Sequence, residues 1–179
     1  MARPTKAELA AAHGRAIPDV VAPGLRVLFC GINPGLWSAA TGRHFARPGN
    51  RFWPALHLGG FTPRQLDPAE QSQLLDLGLG ITNLVDRGTA RADELSPDEL
   101  RQGARSLTAK VACLRPAWLA VLGVTAYRLA FGDKSAVTGQ QPADVGGAKV
   151  WILPNPSGLN AHYQLDALAR AFADLRAHT

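Results

Sequence analysis

Two stretches of this 179-residue chain carry side chains whose types and spacing could do chemistry. The first, GINPGLWSAATGRHFARPGNRFW, spans residues 31–53. Gly31 and Gly35 let backbone approach a ligand closely, Pro34 stiffens the turn, and Asn33 offers both a donor and an acceptor. Phe45, an aromatic among polar and basic neighbours, either stacks on a planar base or packs into the core. The second stretch, PNPSGLNAHY, spans residues 154–163. Asn155, Pro156, Ser157 and Gly158 make a tight polar turn, with Leu159 at its tip between Gly158 and Asn160. An apolar tip on a basic chain is either a wedge pushed between base steps or a leucine packed inward.

Elements must hold these stretches at a common point. Thr5 and Glu8 have capping-box spacing before a short helix that Gly14 ends. Apolar runs predict strands over residues 26–30, 81–85, 118–122 and 150–153. Between them, Asn50 can cap a helix over 51–58, and Asp67, Pro68 and Glu70 open another. Ser96, Pro97 and Glu99 start the clearest helix, whose Leu100, Ala104, Leu107, Val111 and Leu114 form one apolar face before Pro116. A helix runs to Phe131, and Leu165, Leu168, Phe172 and Leu175 mark a closing one. Apolar strands alternating with helices predict an α/β fold, a central parallel four-stranded sheet flanked by helices. With no repeat or linker, residues 1–179 read as one domain, 1–24 being an N-terminal helix and lead-in. Ligands of such sheets bind beyond the carboxyl ends of the strands, here residues 31–50, 86–95, 123–125 and 154–163.

Composition narrows the class. Hydrophobic residues make up 46% of the chain, enough for a sizeable core. No run of about 18 apolar residues spans a membrane, and the N-terminus lacks the apolar core of a signal peptide. Two cysteines, Cys30 and Cys113, read as reduced, and the expected place of action is cytoplasmic. Two cysteines are also too few for an iron–sulfur cluster, the five histidines lack zinc spacing, and no phosphate loop occurs. No metal or cofactor is expected. The net charge of +5 suits a polyanionic partner. Its distribution says more: residues 20–66 contain no acid but carry Arg26, Arg43, Arg47, Arg51 and Arg64, with His44 and His57.

Taken together and in order, GINPG, Thr41-Gly42, FARPGNRFW, NLVDR (residues 83–87) and NPSGL resemble the mismatch-specific uracil-DNA and thymine-DNA glycosylase family. The resemblance covers about residues 26–175. It implies the uracil-DNA glycosylase fold, no cofactor, and excision of uracil, with thymine or modified cytosine as further candidates, from mismatched double-stranded DNA. It puts Asn33 where the attacking water is held and Phe45 where the flipped base is stacked upon. Ile32 and Ser38 fall in the segment lining the base pocket. Ser157, Gly158, Leu159 and Asn160 fall in the loop that contacts DNA and fills the gap left in the duplex. Bacterial members continue with Ser-Arg where this chain has Asn160 and Ala161. Either opposite-base preference is looser here or His162 replaces the arginine.

An amide orients water but cannot take its proton, so a carboxylate from another loop would help an attack on a cationic sugar. The loop after the second strand offers Asp86, Asp93 and Glu94. Asp86 is expected to pair with Arg87, and Glu94 to fix the helix entrance. Asp93 is then the candidate, against the alternative of a solvated loop acid. No lysine occurs in the motif loops, so excision should be hydrolytic, without lyase activity. The chain is expected to act as a monomer. A non-catalytic nucleic-acid-binding module would explain the charge and aromatics, but not an asparagine at a strand end facing a second rigid polar loop.

Overall fold

A computed structural model describes residues 3–179. Thr5 and Glu8 make the reciprocal bonds of the capping box and open α1, Lys6–Ala11. The chain then forms β1, Val27–Gly31, and α2, Leu36–Thr41. Next come α3, Phe52–Leu58, a 3₁₀ segment, Pro68–Leu77, and β2, Leu79–Asn83. A 3₁₀ turn at Ala92–Glu94 precedes α4, Pro97–Leu114, β3, Trp118–Leu122, and α5, Val124–Phe131. The chain ends with β4, Gly139–Gln140, β5, Lys149–Leu153, and α6, Leu165–Arg176.

The sheet order is β2-β1-β3-β5-β4. The first four strands are parallel, as the alternating pattern requires. The fifth corrects the expected count of four: β4 is a two-residue strand pairing antiparallel with β5 through Gly139 and Gln140. So short a segment has no periodicity to detect. The second strand also begins two residues earlier than expected and ends at Asn83, because Leu79 and Gly80 pair with Val27 and Leu28. Leu84 and Val85 still donate to the Gly31 and Ile32 carbonyls, so the chain beyond β2 stays zipped to the chain beyond β1.

Alternation along β1 builds a core on each face. Val27 and Phe29 point to one side, where Phe29 stacks on Phe172 of α6 at 5.8 Å and meets Phe52 of α3 edge-on at 5.5 Å. Leu28 and Cys30 point to the other, against Leu100, Leu107 and Val111 of α4 and Tyr127 of α5. Phe29 is fully buried, and truncating such a ring to alanine costs about 3–5 kcal/mol. The outer edge of β2 is covered too. Val20 and Ile81 exchange backbone hydrogen bonds of 2.9 and 2.8 Å, which shields an edge that would otherwise offer unpaired groups. The N-terminal segment therefore also forms part of the sheet's boundary. No helix of the described residues is long and apolar enough to cross a membrane.

Candidate active site

Strand β1 sits between β2 and β3, so the connections leaving its neighbours diverge around its carboxyl end. A cleft of about 410 Å3 opens there. Its lining includes Ile32, Asn33, Ser38, His44, Phe45, Asn83, Asp93, Asn155, Ser157 and Leu159. Residues 31–50, 86–95 and 154–163 thus meet, while residues 123–125 mostly enter α5.

Asn33 is half-buried and its amide is pinned. Nδ2 donates to the Arg87 carbonyl at 2.8 Å and to Thr89 Oγ1 at 2.7 Å. Thr89 Oγ1 in turn donates to the Arg91 carbonyl at 2.7 Å, so its proton is committed and it can only accept from Asn33. The Thr89 backbone N–H donates to the Pro34 carbonyl, closing the two loops on each other. With both amide protons directed this way, Oδ1 is left as an acceptor at the cleft, and no described residue donates to it.

Phe45 lies against Phe52, ring centroids 4.1 Å apart and nearly parallel, while still lining the cleft. The two alternatives for this ring are therefore both partly met: it rests on the core and borders the cavity. Its φ of +53° is uncommon for a bulky residue, and such strain persists where surrounding contacts over-determine it. Those contacts are visible. Ser38 Oγ accepts from the Ala46 N–H, Gln71 Oε1 accepts from the His44 N–H, and Trp53 Nε1 donates to the His44 carbonyl. Gly31 lets the ring approach: a Cβ there would meet Phe45 Cζ at 3.2 Å and Asn83 Oδ1 at 2.7 Å.

His44 and Asn83 form a buried pair at the cleft floor. His44 Nε2 donates to the Pro18 carbonyl at 3.0 Å, which leaves Nδ1 to accept from Asn83 Nδ2 at 3.5 Å. Burial pushes the His44 imidazole below its ordinary value, partly offset by the Pro18 hydrogen bond, so the ring is held neutral. Asn83 thereby has its amide orientation set, with Oδ1 beside Gly31.

The loop between β2 and α4 is braced from α4. Arg87 Nε donates to Glu99 at 2.8 Å, and Glu99 also accepts the Ser96 N–H in a capping box. The Arg87 guanidinium first, and the Ser96 N–H second, hold the Glu99 carboxyl at about 2. This corrects the expected partner of Arg87: its guanidinium reaches Glu99 rather than the adjacent Asp86, which is exposed. Glu94 also differs from expectation, accepting the Arg91 N–H at 2.8 Å and approaching His13 rather than fixing the α4 entrance. Among the described residues, Asp93 is the only carboxylate lining the cleft, at its mouth. Its side chain is 63% exposed and paired with Arg91.

A sequence model of the Uracil DNA glycosylase superfamily matches residues 18–176. The chain belongs to the uracil DNA glycosylase superfamily. The solution NMR structure of a protein from Methanosarcina acetivorans, described provisionally as a uracil DNA glycosylase, superimposes with a TM-score of 0.62. It is 17% identical and the match covers 92% of this chain and 97% of that one, a likeness of fold. Membership supports DNA glycosylase activity in general, with DNA as the partner.

In this superfamily member the second loop stands beside the cleft. Leu159 is 73% exposed at the tip, so the inward-packed alternative does not hold. Ser157 and Leu159 border the cavity, whereas Gly158 and Asn160 do not line it. Asn160 Nδ2 donates to the Asn155 carbonyl and its Oδ1 accepts the His162 N–H, so its side chain braces the turn. Gly158 packs against Gly49, whose carbonyl oxygen would lie 2.5 Å from an added Cβ. Ile32 packs its Cδ1 against Gly123 and borders the cavity.

Sequence reasoning missed Asn83 and Thr89 as site residues. Asn83 was hidden inside an expected strand over 81–85, although asparagine is depleted in strand interiors and so marked the strand's end. Thr89 carried no signal, because its contact with Asn33 spans 56 positions.

Proposed function

We propose that this protein is a monofunctional, mismatch-directed uracil-DNA glycosylase of the thymine-DNA glycosylase type, acting as a monomer on duplex DNA with G:U or related mismatches. The observation that carries this reading is the pinned Asn33 amide, whose free Oδ1 stands in the same cleft as Phe45 and Asn83. A base turned out of the duplex would stack on Phe45, with Ile32 and Ser38 behind it. Asn83 would face the base edge, and its fixed Oδ1 would accept from a ring N–H such as uracil carries. A weak G:U pair costs less to open, which is one source of selectivity.

The water held by Asn33 attacks the sugar carbon as the bond from that carbon to the base nitrogen breaks. The bonding pair leaves with the base, and positive charge develops on the sugar. Backbone N–H groups near residues 31–35, Pro34 excepted, would stabilise the departing base anion as an oxyanion hole does. Asn33 cannot take the water's proton. Asp93, as the cleft's carboxylate, supplies negative charge and a proton acceptor from the mouth. With no lysine among the described residues of the cleft lining to form a Schiff base, the reaction we propose is hydrolysis alone. Ser157 and Gly158 approach the backbone of the strand, and Leu159 enters the gap left by the base.

Incubation with duplex carrying a single G:U pair, followed by alkali, tests the reading. The expected product is an intact strand before alkali and a strand cut at the uracil position after it. Strand cleavage without alkali would contradict the monofunctional assignment, and no cleavage in either case would favour a binding module.

A further inference from the structure

Arg51 belongs to the acid-free basic stretch of residues 20–66, but its side chain is occupied within the protein. Its Nη1 donates to the carbonyls of Asn160 at 3.0 Å and Tyr163 at 2.5 Å, and Nη2 donates to that of Gly158 at 3.2 Å. Its backbone N–H donates to the Pro156 carbonyl at 2.9 Å. A single residue thus gathers four carbonyls of the loop that carries Leu159. The next turn of its own chain supplies a second contact, Gly49 against Gly158. A guanidinium presents its donors in a fixed planar fork, so three carbonyls meeting it fix the loop's shape as well as its position.

We infer that Arg51 is a positioning residue for excision from duplex DNA: it latches the Leu159 loop to the segment that carries Phe45. The inference rests on the glycosylase reading. A leucine that fills a gap in a base stack is useful only if its loop is rigid when the base leaves, since ordering that loop during the reaction would cost entropy at each turnover. The Arg51 guanidinium is engaged by loop carbonyls, so the inferred effect is one of geometry.

The test compares Arg51→Met and Arg51→Lys, each alone and combined with Leu159→Ala, on uracil in a G:U duplex and in a single strand. Folding is checked by thermal melting, and loop order by amide hydrogen exchange over residues 157–163. The latch predicts that Arg51→Met slows single-turnover excision from duplex about tenfold, loses less on single strand, and raises exchange in the loop. Arg51→Lys should not restore the duplex rate, because an ammonium keeps the charge but not the fork. In the Leu159→Ala background, Arg51→Met should cost little more. Rescue by lysine, or equal loss on both substrates, would overturn the latch. If wild-type protein excises from neither substrate, the glycosylase reading fails instead. Exchange then decides the latch on its own: unchanged exchange in Arg51→Met removes it.

Discussion

At the scale of single residues, the proposed chemistry depends on amides whose orientation is fixed by their neighbours. Asn33 can present an acceptor because Arg87 and Thr89 hold its two protons, and Asn83 does so because neutral His44 accepts one of its own. Asn33 and Phe45 were legible in the sequence, because a Gly-Pro turn and an isolated aromatic in a basic loop are local signals. Their partners were not, since each comes from a distant stretch of chain. Asp93 is a third case, a carboxylate at the cleft mouth tied to Arg91 and largely solvated. Screening by solvent limits what such a group contributes. Asp93→Asn is therefore expected to slow single-turnover excision by about three- to tenfold, because the amide can neither accept the water's proton nor carry negative charge. Wild-type rates and pH profile from pH 5 to 9 would reduce Asp93 to a loop acid.

At the scale of elements, three loops at the carboxyl ends of parallel strands meet over a switch point, and each is stiffened before it arrives. The strand and helix pattern was legible because apolar runs and capping residues are local: α4 begins at its Ser96–Glu99 box and buries the face its spacing marks. The helix α2 was not, because Gly35 and Gly42, which open and close it, make the whole of residues 31–50 look like loop. The Leu159 loop shows why stiffness matters. Its tip is apolar and exposed, so Leu159 can enter a base stack only if the loop holds it in place. Leu159→Ala is expected to slow excision from G:U duplex about tenfold while changing the single-strand rate about twofold or less. Equal losses measured under single-turnover conditions would mean that Leu159 does not act in the duplex.

At the scale of the whole molecule, the site is tied to the sheet's edge. His44 joins the cleft floor to Pro18, and the neighbouring Val20 pairs with β2, so cleft and N-terminal segment share one network. This gives the fold a pH signature. Burial lowers the His44 pKa from the ordinary 6.5, so the unfolded chain binds the proton more readily. The stability this confers is present above pH 6.5 and is lost as pH falls below it. Glu70 and Glu99, held at about 2 against an ordinary 4.5, add nothing to that window because their contribution fades only below pH 4.5. Melting temperature should therefore fall between pH 7 and 5, and the slope should flatten in His44→Gln, read by thermal melting across that range. An unchanged slope would detach His44 from the effect. The proposed reaction of this uracil DNA glycosylase superfamily member breaks the base–sugar bond with a water that Asn33 would hold. The most direct measurement is the single-turnover rate of uracil release from a G:U duplex by Asn33→Ala, alongside its affinity for the same duplex. The account predicts a fall of roughly 10²-fold or more, about 2.7 kcal/mol of barrier, with duplex binding retained. A wild-type rate in Asn33→Ala would contradict it.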